Sequence, residues 1–219
     1  MHQNILNLQK IEKQIYSKKL DDNTKTKIIA VSKTFKIADI IPLIDYGHIH
    51  FGENKVQEAL DKWPDILSKF KKLKLHMIGR LQTNKVRQAV KLFDFIHSVD
   101  SIKLAEKIST EQKKINKNVS LFIQINIGNE IQKSGIPISN LENFYNHLTN
   151  ELKLNILGLM CIPPIELPSE EAFKKMNDIN KKIKLKELSM GMSSDYMNAI
   201  EYGSTFVRIG SKIFGKRNS

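Results

Sequence analysis

Short apolar runs alternate with longer amphipathic stretches along this chain. The short runs fall at residues 27–32 (KIIAVS), 49–52 (IHFG), 75–78 (LHMI), 95–99 (FIHSV), 119–125 (VSLFIQI), 156–160 (ILGLM), 187–190 (ELSM) and 205–209 (TFVRI). They are rich in β-branched and aromatic residues, and several are apolar nearly throughout, the pattern of strands covered on both faces. The longer stretches have a helical period. Residues 37–46 carry apolar side chains at positions 37, 40, 41 and 44, one face of a surface helix. Residues 104–115, 141–148 and 169–183 read the same way, the last behind a Pro-containing loop (CIPPIELPS) with Ser169 as the expected N-cap. Residues 5–20 precede the first strand and are expected to form an additional helix on the outside or bottom.

Eight strands in strict alternation with helices exceed the roughly five or six of a usual doubly wound sheet, and predict a (β/α)8 TIM barrel. The chain shows no internal repeat, low-complexity tract or linker, so residues 1–219 are read as one domain. In such a barrel, function lies at the C-terminal strand ends and in the loops that follow.

Composition narrows the class. Of 219 residues, 41% are hydrophobic and 26% charged, which argues against wholesale disorder. The single cysteine, Cys161, excludes an intrachain disulfide and points to a reducing, cytoplasmic setting. No apolar run approaches the roughly 18 residues of a transmembrane helix, and MHQNILNLQK lacks the apolar stretch of a secretory signal, so no membrane partner is expected. The net charge of +12 raises the question of a polyanion. Yet only four of the 35 basic residues are Arg (Arg80, Arg87, Arg208 and Arg217), and Ile and Asn are abundant, as AT-rich codon usage would give. The basic runs 69–74, 113–117 and 181–186 fall on separate expected helices and carry one aromatic residue, Phe70. Nucleic-acid sites add Arg forks and interleaved aromatics, so the runs are read as solvated surface and no nucleic-acid partner is expected.

The strand ends carry the candidate chemistry. Strands seven and eight run out into MGMSSD and RIGS, where Ser193, Ser194, Gly210 and Ser211 offer hydroxyls, backbone amides and close approach to a phosphate. A helix starting near Asp195 would add its N-terminus. Lys33 ends the apolar run IIAVSK and should project into the barrel mouth, where partial desolvation favours the neutral amine that attacks an aldehyde; by position alone a lysine that snorkels to solvent is the equal alternative. A phosphate pocket and an inward lysine on one rim suit an aldehyde phosphate, of which pyridoxal 5′-phosphate is the obvious case. His48, His50, His76 and His97 have no Cys or carboxylate at ligand spacing and are read as core or surface residues, not metal ligands. Cys161 has no sequence-adjacent base and is read as a packed small residue.

The segments AVSKTFK, HFGENKVQEAL, HMIGRLQTNKV, IHSVDS, QINIGNEIQKSGI, GLMCIPP and LSMGMSSDYMNAIEYGSTFVRIGSKIFGKR, spread over residues 27–217, resemble the pyridoxal-phosphate homeostasis protein family. The resemblance implies a barrel like the N-terminal domain of alanine racemase, with the extra N-terminal helix, and a cofactor held as a Schiff base, the internal aldimine. It implies Lys33 as the aldimine lysine, Asn54 of GEN beside the cofactor, and Ser193, Ser194, Gly210 and Ser211 on the phosphate. It further implies that Arg208 lies near the pyridine nitrogen, where it would disfavour protonation and weaken the ring as an electron sink. Glu130 and Lys133 resemble an acidic and basic pair near the cofactor mouth. Met77, Ile78 and Met192 are expected either to pack around the ring or to belong to the apolar core.

Eleven residues follow Arg208, too few for the second domain that brings an acid/base group to the other ring face in catalytic relatives. The expectation is therefore a monomeric carrier or regulator of pyridoxal 5′-phosphate, serving apo-forms of enzymes that use it, without robust catalysis. A weak amino-acid racemase is the alternative, for which Tyr46, Tyr145, Tyr196 and Tyr202 remain candidate second bases.

Overall fold

A computed structural model of the chain describes residues 1–18, 26–128, 130, 134–164 and 166–215. Each apolar run forms a strand within one residue of its expected limits: β1 Lys27–Val31, β2 His50–Glu53, β3 Lys74–Met77, β4 Phe95–Val99, β5 Ser120–Ile125, β6 Ile156–Cys161, β7 Glu187–Ser189 and β8 Phe206–Ile209. Neighbours in sequence pair in parallel, and β8 pairs with β1 (Lys27 with Phe206, Ala30 with Ile209), closing the eight-stranded barrel.

One helix precedes the first strand and the others follow the strands: α1 Gln3–Lys18, α2 Ile37–Asp45, α3 Val56–Lys62, α4 Pro64–Lys69, α5 Val86–Leu92, α6 Ile102–Ile115, α7 Leu141–Asn146, α8 Ser169–Lys182, α9 Tyr196–Glu201 and α10 Ser211–Phe214. The first of these is the extra helix. It packs outside the barrel on α2 and α10, where Asn4 Nδ2 donates to the Asp39 carbonyl and Asn7 Nδ2 to the Ile213 carbonyl, both at 2.9 Å. The helix α1 thus bridges the elements on either side of the barrel seam; residues 19 and 20 of its expected span lie outside the described residues. Two expectations need correction. Ser169 is the first residue inside α8, and Pro168, which has no capping side chain, holds the N-cap position. Residues 141–148 are not one α-helix: α7 stops at Asn146 and His147–Glu151 continues as a π-helical turn.

Two apolar layers result. The larger lies between strands and helices. The smaller, inside the barrel, is Ile29, Phe122, Met160 and Phe206, with Phe95 and Leu157 against it. Alternation along each strand decides membership: in β8, Phe206 faces inward while Val207 and Ile209 pack under the helices. The lysine-rich runs sit where α4, α6 and α8 end and the following strands begin. Helix dipoles favour cations at those C-terminal ends, a local cause for part of the positive charge.

Candidate functional site

Inward parity carries past the strand ends to the barrel mouth. In β1 the inward series includes Ile29 and Val31 and continues to Lys33; in β2 it is His50 and Gly52, continuing to Asn54; in β8 it is Phe206 and Arg208, continuing to Gly210. Gly52 has no alternative, because a Cβ there would lie 2.7 Å from Ile29 Cγ2. Lys33, Asn54, Ser193, Ser194, Arg208, Gly210 and Ser211 line one cavity of about 850 Å3, walled on its apolar side by Val31, Ile78, Ile162 and Met192. Its size suits a small organic ligand. Met77 instead lines an adjoining cavity of about 890 Å3, which shares Asn54 and Gly79 with the first.

The turn after β1 is built to hold Lys33 in place. Thr34 adopts φ +68, a left-handed conformation that a β-branched residue rarely takes. Its N–H donates to Glu58 Oε1 at 2.5 Å. Ser32 donates from Oγ to Glu53 Oε1 at 2.8 Å, and that carboxylate also accepts from Trp63 Nε1 and Lys62 Nζ, both at 3.0 Å. Lys62 further reaches the Ser32 carbonyl at 3.0 Å and Glu58 at 2.9 Å. Burial raises the Glu53 carboxyl above its ordinary range, against the pull of Lys62 and the hydrogen bonds.

Small residues let the mouth close up. A Cβ on Gly79 would lie 2.3 Å from the Asn54 carbonyl oxygen, so β3 and β2 touch backbone to backbone beside the cavity. Asn54 Oδ1 is buried with no protein partner among the described residues, a polar atom awaiting a donor. On the opposite side, Gly191 (φ +89) turns the chain out of β7, and its carbonyl accepts from the Arg208 N–H at 3.0 Å. The turn that follows is tied by Asp195 Oδ1, which accepts from the Met192 N–H at 2.6 Å, and α9 starts at the next residue as expected. Gly210 N–H donates to Ser193 Oγ at 3.3 Å, linking the β7 and β8 loops. Ser194 and Ser211 are exposed to the cavity mouth, and Ser211 opens α10, where the Ile213 and Phe214 N–H groups donate to the Gly210 carbonyl at 2.9 Å and those of Ser211 and Lys212 have no acceptor within the helix.

Arg208 is 4% exposed. Its NH1 donates to Ser189 O at 2.7 Å and Ser189 Oγ at 2.8 Å, and NH2 to the Cys161 carbonyl at 2.9 Å. Burial lowers its affinity for the proton, and Asp195 opposes that; a guanidinium starts so high that it stays cationic. Cys161 is fully buried and its thiol is pushed up to about 12 by that burial, which removes it as a nucleophile.

Sequence reasoning passed over Phe35, Ile162 and Lys212, which line the same cavity. Extending the inward parity two residues past Lys33 and Met160 reaches Phe35 and Ile162. Phe35 is fixed by stacking on Phe214, centroids 4.8 Å apart at 25°. Lys212 lies in the first turn of α10, where strand parity gives no signal, and its Nζ sits 4.8 Å from the Tyr196 ring centroid. Glu130 is held by Asn126 through two hydrogen bonds, its N–H to Oδ1 (3.1 Å) and its carbonyl from Nδ2 (2.8 Å). Lys133, its expected companion, and Arg217 lie outside the described residues.

Comparison with known proteins adds a family. Residues 6–218 match the model of the alanine racemase N-terminal domain. Curated relatives named pyridoxal phosphate homeostasis protein include one from Haemophilus influenzae, 40% identical over 99% of this chain and 96% of its own length. A human relative of the same name is 38% identical over 88% of this chain and 77% of its own. Among solved structures, PipY of Synechococcus elongatus with PLP bound superposes with a TM-score of 0.86 at 33% identity, covering 97% of this chain and all of that one. Alanine racemase of Clostridium difficile, 15% identical, shares the fold over 99% of this chain and 57% of its own, with a TM-score of 0.75.

Proposed function

Since this chain belongs to the pyridoxal phosphate homeostasis protein family, we propose that it binds pyridoxal 5′-phosphate at the barrel mouth, and that it holds and hands on this cofactor without using it for sustained catalysis. The observation that carries the reading is the convergence of Lys33, Arg208 and the serines of the β7 and β8 loops on one cavity of about 850 Å3.

The residues fit the group. Three hydroxyls and the amides around Gly210 suit a phosphate, the buried Asn54 Oδ1 lacks a donor, and Val31, Ile78, Ile162 and Met192 offer apolar surface to a flat ring. When bound, pyridoxal 5′-phosphate supplies an aldehyde that amines attack and a ring that withdraws electrons. Lys33 provides the amine, partly buried at the end of β1 and aimed by the Ser32–Glu53 clamp. Arg208 can only donate, so a ring nitrogen facing it would be kept unprotonated and the ring would be a poor electron sink. Besides Lys33 and Arg208, the one ionisable side chain among the described residues lining the cavity is Lys212, whose Nζ is drawn over the Tyr196 ring. Of the candidate second bases, Tyr196 is buried and bonded to Gln14 Oε1 at 2.6 Å, and Tyr46 bonds Glu12 on the outer surface. This supports a binding role, since proton exchange on both ring faces needs a second acid/base group.

A single barrel domain spanning the chain is supported by the β8–β1 closure. A reducing, cytoplasmic location is supported by the lone buried cysteine; separately, no described helix is long and apolar enough to cross a membrane. The test is two-sided. Protein loaded with pyridoxal 5′-phosphate should restore activity to an apoenzyme that needs it, and should not incorporate solvent deuterium at Cα of L-alanine faster than the free cofactor does. Rapid deuterium incorporation that depends on the protein would instead make it a racemase-like enzyme.

A further inference from the structure

Four polar side chains cross the barrel interior in a single file behind Arg208. Ser189 Oγ, which accepts from Arg208 NH1 at 2.8 Å, meets His97 Nδ1 at 2.9 Å. His97 Nε2 meets His76 Nδ1 at 2.9 Å, and His76 Nε2 meets His50 Nδ1 at 2.9 Å. The file runs from the mouth to the first residue of β2, at the opposite end of the barrel. Ser189, His76 and His97 are fully buried and His50 is half-buried. Aromatic faces lock the ring planes: His76 stacks on Phe95 (4.2 Å, 6°) and His97 on Phe122 (4.3 Å, 11°), leaving only the ring edges to bond.

The chemistry of the end group sets the direction of every bond. A guanidinium has no acceptor, so Ser189 Oγ must accept from Arg208. Among the described residues the one other partner of this hydroxyl is His97 Nδ1. Were His97 to carry its proton on Nδ1, the Ser189 hydroxyl hydrogen would be buried without an acceptor, which is unfavourable. Ser189 therefore donates to a bare Nδ1. His97 then carries its proton on Nε2 and donates to His76 Nδ1, and His76 in turn donates from Nε2 to His50 Nδ1. Neutral rings are required throughout, in keeping with burial and the nearby Arg208, Lys27 and Lys74 charges, which all act against protonation.

We propose that His50, His76 and His97 form a one-directional hydrogen-bonded relay through the barrel interior that positions Arg208 at the mouth, a role that rests on the binding reading above. Each ring's tautomer is fixed by its neighbour, so the orientation of the Ser189 hydroxyl, and with it the seat of the guanidinium, depends on groups reaching to the far end of the barrel. These are positioning residues; none lines the cavity.

The first test needs no cofactor. Nitrogen-15 spectra of the full chain labelled at histidine, at neutral pH, should show His50, His76 and His97 as neutral rings with the proton on Nε2. A proton on His97 Nδ1, or an imidazolium at any of the three, overturns the relay. In Ser189→Ala the His97 signals should move toward a mixture of tautomers, and Ser189→Thr, which keeps a hydroxyl, should restore them; no change in Ser189→Ala also overturns it. The link to Arg208 is read by visible titration with pyridoxal 5′-phosphate. His97→Phe keeps the stacking face but loses the acceptor, and should bind about ten-fold more weakly. His97→Asn, whose Oδ1 stands in for Nδ1, should recover much of the loss. Equal affinity in His97→Phe and wild type overturns the positioning role. Borohydride labelling of wild-type Lys33, run in parallel, separates that outcome from failure of the binding reading, in which Lys33 would not be labelled at all.

Discussion

The hydroxyl of Ser32 donates to Glu53 Oε1 at 2.8 Å, which ties the residue before Lys33 to the residue before Asn54. The side chain of Glu53 is fully buried and pairs with Lys62 at 3.0 Å. Removing one partner of a buried pair leaves an uncompensated charge. Glu53→Ala is therefore expected to cost about 3 kcal/mol, the lower end of the range because Lys62 keeps Glu58. At roughly 2–4 °C per kcal/mol for a chain of this size, the melting temperature should fall by about 6–12 °C. Glu53→Gln, which keeps an acceptor for Ser32 and Trp63, should lose less. Thermal melts of the two variants check the order.

Gly79→Ala would set a methyl group against the Asn54 backbone, whose carbonyl oxygen lies 2.3 Å from the added Cβ. Backbone cannot swing aside as a long side chain does, so Asn54 and the Gly79 turn must move apart and the place of Asn54 at the cavity is disturbed. The expected result is weaker binding of pyridoxal 5′-phosphate by about ten-fold or more, in a chain that still folds. Equal affinity by visible titration would show that Asn54 does not contribute from its present position.

The serines should read the phosphate and not the ring. In the pair of substitutions Ser193→Ala and Ser211→Ala, each lost hydroxyl should weaken pyridoxal 5′-phosphate binding by about ten-fold, the worth of a hydrogen bond to a charged group. Pyridoxal, which lacks the phosphate, should bind wild type and variants alike. Parallel titrations with the two compounds give the comparison.

Acid should destabilise the barrel through its histidines. Burial pushes the His48 and His50 rings down to about 4, and those of His76 and His97 well below the ordinary value of 6.5. Between about pH 6.5 and about pH 4 the unfolded chain binds protons that the folded chain refuses, so stability falls as pH falls across that window and is full above it. Denaturant unfolding at pH 7.5, about pH 5.5 and about pH 4.5 should show a stepwise drop in midpoint. Replacing His97 by Phe should flatten the dependence even where it changes the absolute stability.

Much of this is legible in the amino-acid sequence alone. Eight short apolar runs and their order were enough for the barrel, because a strand covered on both faces leaves a near-continuous apolar signature. Lys33 and Gly210 were reachable from the strand ends, whereas Asn54 and Arg208 came from the family resemblance; inward parity would have reached all four, and Phe35 and Ile162 with them. What stayed hidden was long-range. His50, His76 and His97 lie 21 to 92 residues from their hydrogen-bond partners, and nothing in one strand tells a ring which neighbour it will meet across a closed barrel. The Glu53 hub was masked for the same reason, since its partners are Ser32, just past β1, and Lys62 and Trp63 at the end of α3. Helix ends were also missed where a Pro fixes the N-cap, at Pro168, or where the last turn widens, at His147–Glu151.

The central claim is that Lys33 is the amine that holds pyridoxal 5′-phosphate. The direct measurement is the visible spectrum of the full chain with the cofactor added, beside Lys33→Ala, followed by borohydride reduction and mapping of the modified residue. A visible band present in the wild type and absent from Lys33→Ala, with the pyridoxyl group found on Lys33, is the expected result. No band in the wild type, or label scattered over surface lysines with Lys33 unmodified, would contradict it.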